Sequence, residues 1–251
     1  SGLDFVLAFM GCQVAGVVPV PVMPPRSAEP AELGRVMAIM DDVGSNLMVT
    51  SEQLIQMGQA FFQSSNLAWM SVEDLEGVAK TPPVAFEDAG DLALLQYTSG
   101  STSRPRGVMV GHDNLMHNLG DIYWAEGNSP ETISVSWLPM SHDMGLIEGV
   151  LQPLYRGSAV YLMSPLAFLR RPLSWLEAIS KYRATVSGGP NFAYDLVLRR
   201  LGDGPPPELD LSCWRFAYNG SEPVSVDTIE SFTDRLAVRG FKPESIHALF
   251  G

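Results

Sequence analysis

The residues best suited to chemistry begin at Thr98. The run Thr98-Ser99-Gly100-Ser101-Thr102-Ser103-Arg104-Pro105-Arg106-Gly107 sets hydroxyls, glycines and two arginines between a largely apolar segment at 94–97 and a β-branched one at 108–110. Such a loop suits a polyphosphate. Glycine lets the backbone approach closely, Ser and Thr donate through hydroxyl and N–H groups, and arginine supplies charge. It is not a Walker loop, which needs Gly-Lys-Ser/Thr opening a helix, because Gly107 leads into a strand-like run. A solvated Ser/Gly hairpin has the same composition, and the loop by itself leaves both readings open.

Four later segments carry similar residues. Trp137-Leu138-Pro139-Met140-Ser141-His142-Asp143-Met144-Gly145 holds one of only four histidines. Its ordinary role is a helix cap, with Asp143 at the positive end of the dipole. Ser187-Gly188-Gly189-Pro190-Asn191-Phe192 brings backbone close to whatever fills a cleft, or is a plain strand-to-helix turn opened by Pro190 or Asn191. Tyr218-Asn219-Gly220-Ser221-Glu222-Pro223 reads equally as a turn and N-cap. His247-Ala248-Leu249-Phe250-Gly251 closes the chain.

These loops need a scaffold, and the hydrophobic pattern supplies one. Apolar spacing predicts a helix over 3–14 stopped at Gly16, then a strand over 17–22 kept near a sheet edge by Pro19 and Pro21. A helix capped by Ser27 and stopped at Gly44 follows, then a strand at 47–50, a helix capped by Ser51, and a strand at 67–70. Residues 73–90 read as a connecting loop, and 115–124 as a helix. From 133 the alternation is regular. Strands over 133–138, 158–163, 184–187, 214–218 and near Ile246 alternate with helices over 145–155, 173–182, 191–201 and 225–238. This predicts an α/β fold of two layered αβα-type subdomains with mostly parallel sheets, 1–126 and 127–251, joined at the Gly127-Asn128-Ser129-Pro130 loop. In such sheets ligands sit at the carboxyl ends of the strands, where the four later loops fall.

Composition narrows the function class. The chain has 251 residues, 46% of them hydrophobic, and a formal net charge of -12. That charge argues against nucleic acid, whose binding rests on Lys and Arg at phosphates, and against an electrostatic anchor on anionic lipid. Local arginines still allow a nucleotide. Cys12 and Cys213 match no metal spacing and read as reduced core residues of a cytoplasmic enzyme. No apolar run approaches the ~20 residues of a membrane span, and the opening shows no signal peptide.

Taken as one ordered set, the loops resemble the adenylate-forming superfamily of acyl- and aminoacyl-activating enzymes. Tyr97 to Thr102 with Arg106-Gly107 is similar to its phosphate-binding signature, Asn219 to Pro223 to its adenine-side loop, and Phe250-Gly251 to the start of its aromatic-Gly motif. Within the superfamily the fatty acyl-AMP ligases are most similar. The match lies in Trp137-Leu138-Pro139 with His142 to Ile147, Leu151 to Tyr155, Met163-Ser164-Pro165 with Phe168-Leu169, and Ser187 to Tyr194. The resemblance implies activation of a fatty acid with ATP to an acyl-adenylate, then transfer to the phosphopantetheine thiol of an acyl carrier protein. An acyl-CoA synthetase, an amino-acid adenylation domain and a non-catalytic lipid- or nucleotide-binding module are the alternatives.

Site roles follow from the same resemblance. Thr98, Ser99, Gly100, Ser101, Thr102, Arg106 and Gly107 are expected at the β- and γ-phosphates. Asn219, Gly220, Ser221, Glu222, Pro223 and Phe250 are expected around the adenine of ATP or AMP. His142, beside the reacting carboxylate, is expected with Arg106 to serve catalysis; Asp143, Met144 and Gly145, with Ser187, Gly188, Gly189, Pro190 and Phe192, border the acyl channel. The sequence departs from the pattern at four positions. Ser103 replaces a usual glycine, Arg106 a lysine, Ser141 an aromatic residue and Phe250 a tyrosine. The Mg2+-binding Glu, the ribose-binding Asp, the catalytic Lys and the ligase-specific insertion are not found before Gly251. The expectation is therefore an incomplete N-terminal domain of a larger ligase, inactive alone.

Overall fold

The computed structural model describes residues 2–25, 29–62, 67–75, 90–98 and 105–249. The chain divides into two compact units, Ser1–His117 and Asn118–Gly251. The division falls inside one helix, α4 (His112–Ala125).

The first unit contains α1 (Leu3–Val14), α2 (Pro30–Val43), β1 (Leu47–Thr50), α3 (Glu52–Phe61), β2 (Ala68–Ser71), β3 (Leu92–Thr98) and β4 (Arg106–Gly111). Strands β1 and β2 pair in parallel, β3 and β4 antiparallel. A small core of Val36, Met40 and Phe62 is backed by Trp69. Three expectations are corrected here. Residues 17–22 form no strand, because Pro19 and Pro21 lack the N–H a ladder needs; the segment is held to β3 by Leu95 N–H donating to the Pro19 carbonyl at 3.1 Å. Helix α2 starts at Pro30 behind Glu29, so its cap is not Ser27, which lies outside the described residues. Cys12 and Cys213 are free and only half-buried, Cys213 packing against the edge of the main core of the second unit rather than inside it.

The second unit is built on a five-stranded parallel sheet in the order β6-β5-β7-β8-β9. Its strands are β5 (Ile133–Ser136), β6 (Ala159–Leu162), β7 (Val186–Gly189), β8 (Phe216–Asn219) and β9 (Ile246–Ala248). The helix between β5 and β6 begins as α5 (Asp143–Leu146), passes through a π-helical stretch (Ile147–Leu151) and ends as α6 (Gln152–Arg156). After β6 come α7 (Pro165–Arg170), α8 (Leu173–Tyr182), α9 (Asn191–Arg200) and α10 (Val226–Leu236). Helix α7, which apolar spacing did not predict, is only six residues long and opens on Pro165 after Ser164.

Strand alternation gives this sheet two unlike faces. On one, Trp137 stacks on Phe168 at 4.0 Å, and Trp175, Tyr194, Trp214 and Phe232 interlock edge to face. Trp175 donates to Ser187 Oγ at 2.8 Å, and Ser187 donates on to the Val135 carbonyl at 2.6 Å, which ties α8 to β7 and β5. On the other face Ser134 and Ser136 meet the α5–α6 helix and a layer of buried polar groups. The Ser225 hydroxyl caps α10 by accepting from Thr228 N–H at 3.3 Å. Ser225→Ala is expected to lower stability by about 1 kcal/mol, read as a shift in urea midpoint.

Candidate functional site

The two strand pairs that matter are β5/β7 and β3/β4. From β5 the chain crosses to β6 over one sheet face; from β7 it crosses to β8 over the other. Adjacent strands whose connections leave to opposite faces open a crevice at their carboxyl ends, the place where ligands bind in open α/β sheets. The 137–145 and 189–192 segments flank that crevice.

His142 stands at the start of α5. Its Nδ1 lies 2.5 Å from Asp143 Oδ1, and both side chains are about half exposed. The hydrogen bond to Asp143 raises the His142 pKa against the opposing effect of burial, and the same bond lowers that of Asp143. Asp143 also accepts from Met144 N–H at 2.6 Å, an acidic cap at the positive helix end. Gly145 is buried against the turn that precedes it. A Cβ there would overlap the Pro139 carbonyl, so glycine lets the helix start close under His142.

The three loops of the sheet touch one another. Trp137 meets the Phe192 ring edge-on at 6.0 Å, joining the β5 and β7 loops. The Ser221 hydroxyl lies 3.8 Å from Met144 Sδ, joining the β8 loop to α5. Glu222 accepts from Phe192 N–H at 2.5 Å, so a carboxylate from the β8 loop caps α9. Ser221 holds φ at 65°, a left-handed conformation uncommon for serine. Pro190 is the N-cap of α9, and Pro223 is exposed just beyond Glu222. Ser187, Gly188, Gly189, Asn219 and Gly220 are buried. Ser187 spends its hydroxyl inside the core, and Gly189 packs against Trp137. An open groove lined by Val135, Tyr161, Met163 and Tyr182 contains none of these residues.

The first unit supplies the hairpin expected at phosphate. Thr98 faces Arg106, and Tyr97 faces Gly107, in the β3/β4 ladder. Tyr97 packs over Gly107 and donates its hydroxyl to Asp42 at 2.5 Å. Burial, then the hydrogen bond and charge of Asp42, push its pKa up to about 12. Arg106 and Gly107 are exposed where the hairpin opens. Ser99, Gly100, Ser101, Thr102 and Phe250 lie outside the described residues.

Two groups escaped the sequence reading. Asn191 is a buried junction between α9, the β8 loop and α10. Beneath α5–α6, Glu148, Gln152 and Arg156 are buried with Glu126 and Asn128. Their four-residue spacing was visible, but the apolar neighbours Leu146, Val150 and Leu151 gave the segment the look of an ordinary core helix.

Comparison with known proteins adds to this geometry. The AMP-binding enzyme family matches residues 1–251. The medium-chain-fatty-acid–[acyl-carrier-protein] ligase JamA of Moorena producens is 40% identical over 262 residues, covering 100% of this chain and 44% of its own. The ligase TtuA of Teredinibacter turnerae, named for the same reaction, is 32% identical over 289 residues, covering 98% and 45%. A solved structure of the fatty acyl-adenylate ligase from L. pneumophila, in complex with acyl adenylate and pyrophosphate, superposes with a TM-score of 0.91 at 39% identity. It is covered to 44% of its length by all of this chain. The chain thus spans less than half the length of these relatives.

Proposed function

The chain belongs to the AMP-binding enzyme family, and on that premise we propose that the protein carrying it activates a fatty acid and passes the acyl group to an acyl carrier protein. What supports the reading most is the 40% identity, along the whole chain, with a ligase named for those two partners. A carboxylate oxygen attacks the α-phosphorus of ATP, the bond to the bridging oxygen breaks, and pyrophosphate leaves with the electron pair. The phosphopantetheine thiol, its proton removed, then attacks the acyl carbon and AMP departs.

The residues divide that work. Thr98 to Thr102, Arg106 and Gly107 hold the β- and γ-phosphates, where arginine offsets charge on the departing pyrophosphate. Asn219 to Pro223, with Phe250, hold the adenine. His142, biased toward its cationic form by Asp143, faces the fatty carboxylate and helps keep it in line with phosphorus. Met144, Gly145, Gly188, Gly189, Pro190 and Phe192 border the acyl channel. Magnesium belongs to the family resemblance. Among the described residues, however, no group of three or more His, Cys, Asp or Glu is placed to hold a metal ion, and no step here runs through one. The reading places the protein in the cytoplasm, with ATP and the carrier. Among the described residues no helix is long and apolar enough to cross a membrane.

Arg106→Ala is expected to slow fatty-acid-dependent pyrophosphate exchange by about 10- to 100-fold in the ligase carrying this chain. Unchanged exchange takes Arg106 out of the phosphate site. Acyl transfer to free CoA but not to carrier protein, or exchange driven by amino acids, moves the protein to a neighbouring class. ATP binding without any exchange makes it a binding module.

A further inference from the structure

Asn191 stands at the first position of α9 with its side chain buried, and it bonds to three residues, one at the end of β8 and two at the start of α10. Its Oδ1 accepts from Asn219 Nδ2 at 3.2 Å and from Ser225 N–H at 3.0 Å. Its Nδ2 donates to Thr228 Oγ1 at 3.4 Å, and that hydroxyl donates to Asp195 at 2.8 Å. Asn219 is fully buried, and its own carbonyl accepts from Leu249 N–H at 2.8 Å. Gly220 lies so close to Leu249 that a Cβ would stand 2.8 Å from the Leu249 carbonyl oxygen. One amide therefore ties the start of α9 to both ends of the 219–225 loop and, through Asn219, to the end of β9. Glu222, bonded to Phe192 N–H, closes the same two segments from the solvent side.

We infer that Asn191 is a positioning residue for adenylation: acting through Asn219, it sets the 219–223 loop at a fixed distance from the 187–192 loop. The inference rests on the reading above, in which one loop holds adenine and the other borders the acyl channel. In-line attack needs carboxylate and α-phosphorus aligned to a fraction of an ångström, and a misplacement of about 1 Å costs on the order of 100-fold in rate. Asparagine suits the task because a single side chain both accepts twice and donates. Alanine removes every contact and leaves the Asn219 amide buried without its acceptor.

The test uses the ligase carrying this chain. Asn191→Ala is expected to lower kcat for acyl-adenylate formation about 10- to 100-fold, with the fatty-acid KM changed less than about 3-fold. Asn219→Ala should lose at least as much, since that residue is also assigned to the adenine site, and the double variant should be no slower than Asn219→Ala alone. Phe232→Leu, a core change on the buried face of α10, serves as a control for lost stability and should leave kcat within about 2-fold. Amide hydrogen exchange on Asn191→Ala should quicken at 219–223 and Leu249 and stay unchanged in β5 and β6. Equal kcat for Asn191→Ala and wild type overturns the inference. So does an equal loss in Phe232→Leu, or unaltered exchange at 219–223. A wild-type ligase with no fatty-acid-dependent exchange overturns the functional reading instead, and the amide-exchange comparison still decides whether Asn191 sets the loop.

Discussion

Gly188→Ala is expected to destabilise the protein by about 3 kcal/mol or more, and Gly188→Val to prevent folding at ordinary temperature. Gly188 lies in β7 opposite Tyr218 of β8, and a Cβ built on it would overlap both the Tyr218 carbonyl oxygen and its ring. Neither can move aside cheaply. The carbonyl is backbone in a central strand and accepts from Tyr194 Oη at 2.7 Å, and the ring is 1% exposed. Overpacking a rigid core typically costs about 1–3 kcal/mol; a clash with backbone belongs at or beyond the top of that range. Gly204 is the control, since nothing stands within 4 Å of its Cβ position; Gly204→Ala should stay within about 0.5 kcal/mol. Urea midpoints at unchanged slope measure both, and equal midpoints for the two variants would show that β8 yields. The expected result also bears on the acyl channel proposed to run past Gly188. Tyr218 occupies the space a side chain at 188 would need, so strand packing is enough to require glycine there.

How far the sequence carried depended on whether a feature was local. The alternation after Ile133 was legible because each strand is a short apolar run ended by Gly, Pro or Asn, and the helices between carry their own apolar stripe. The loops were legible as a set because a parallel sheet puts every such turn on one edge. Residues 17–22 misled for a local reason, since alternating valines mimic a strand while alternating prolines remove the donors. Asn191 was invisible for a different reason. It reads as the first residue of a helix, and its partners at 219, 225 and 228 are brought to it by two strands and a crossover. No spacing in the sequence encodes that junction. Ser187 shows the reverse error of emphasis. It sits inside a promising loop, yet its hydroxyl is spent on Trp175 and the Val135 carbonyl.

The buried charges under α5–α6 were the least legible and carry the second large expected effect. Raising the pH from 5 to 9 should weaken the protein, and Glu148→Gln should remove most of that loss. Burial, then the charge of Glu126, push the Glu148 carboxyl up to about 8 from the ordinary 4.5, against the opposing pull of Arg156. Burial also raises Glu126, which Asn128 Nδ2 and the Arg156 guanidinium help keep ionised. Arg156 donates to Ser158 Oγ at 2.6 Å and to Ser134 Oγ at 2.5 Å, so it is fixed in place. With Glu148 protonated and Glu126 ionised the cluster is neutral, one carboxylate against one guanidinium; ionising Glu148 as well leaves a net negative charge out of water. Between pH 4.5 and 8 the folded state therefore keeps a proton that the unfolded chain has released. Stability falls across that window by up to about 1.4 kcal/mol per pH unit, and this group adds nothing further above it. Glutamine copies the protonated acid in shape and cannot ionise. Glu148→Gln should be near neutral at pH 5 and more stable than wild type by several kcal/mol at pH 9. Arg156→Met is the counterpart, since stranding Glu126 without its cation should cost about 3–5 kcal/mol near neutral pH. Urea midpoints from pH 5 to 9 measure all three proteins. Parallel profiles for wild type and Glu148→Gln would mean that Glu148 ionises as freely in the fold as outside it.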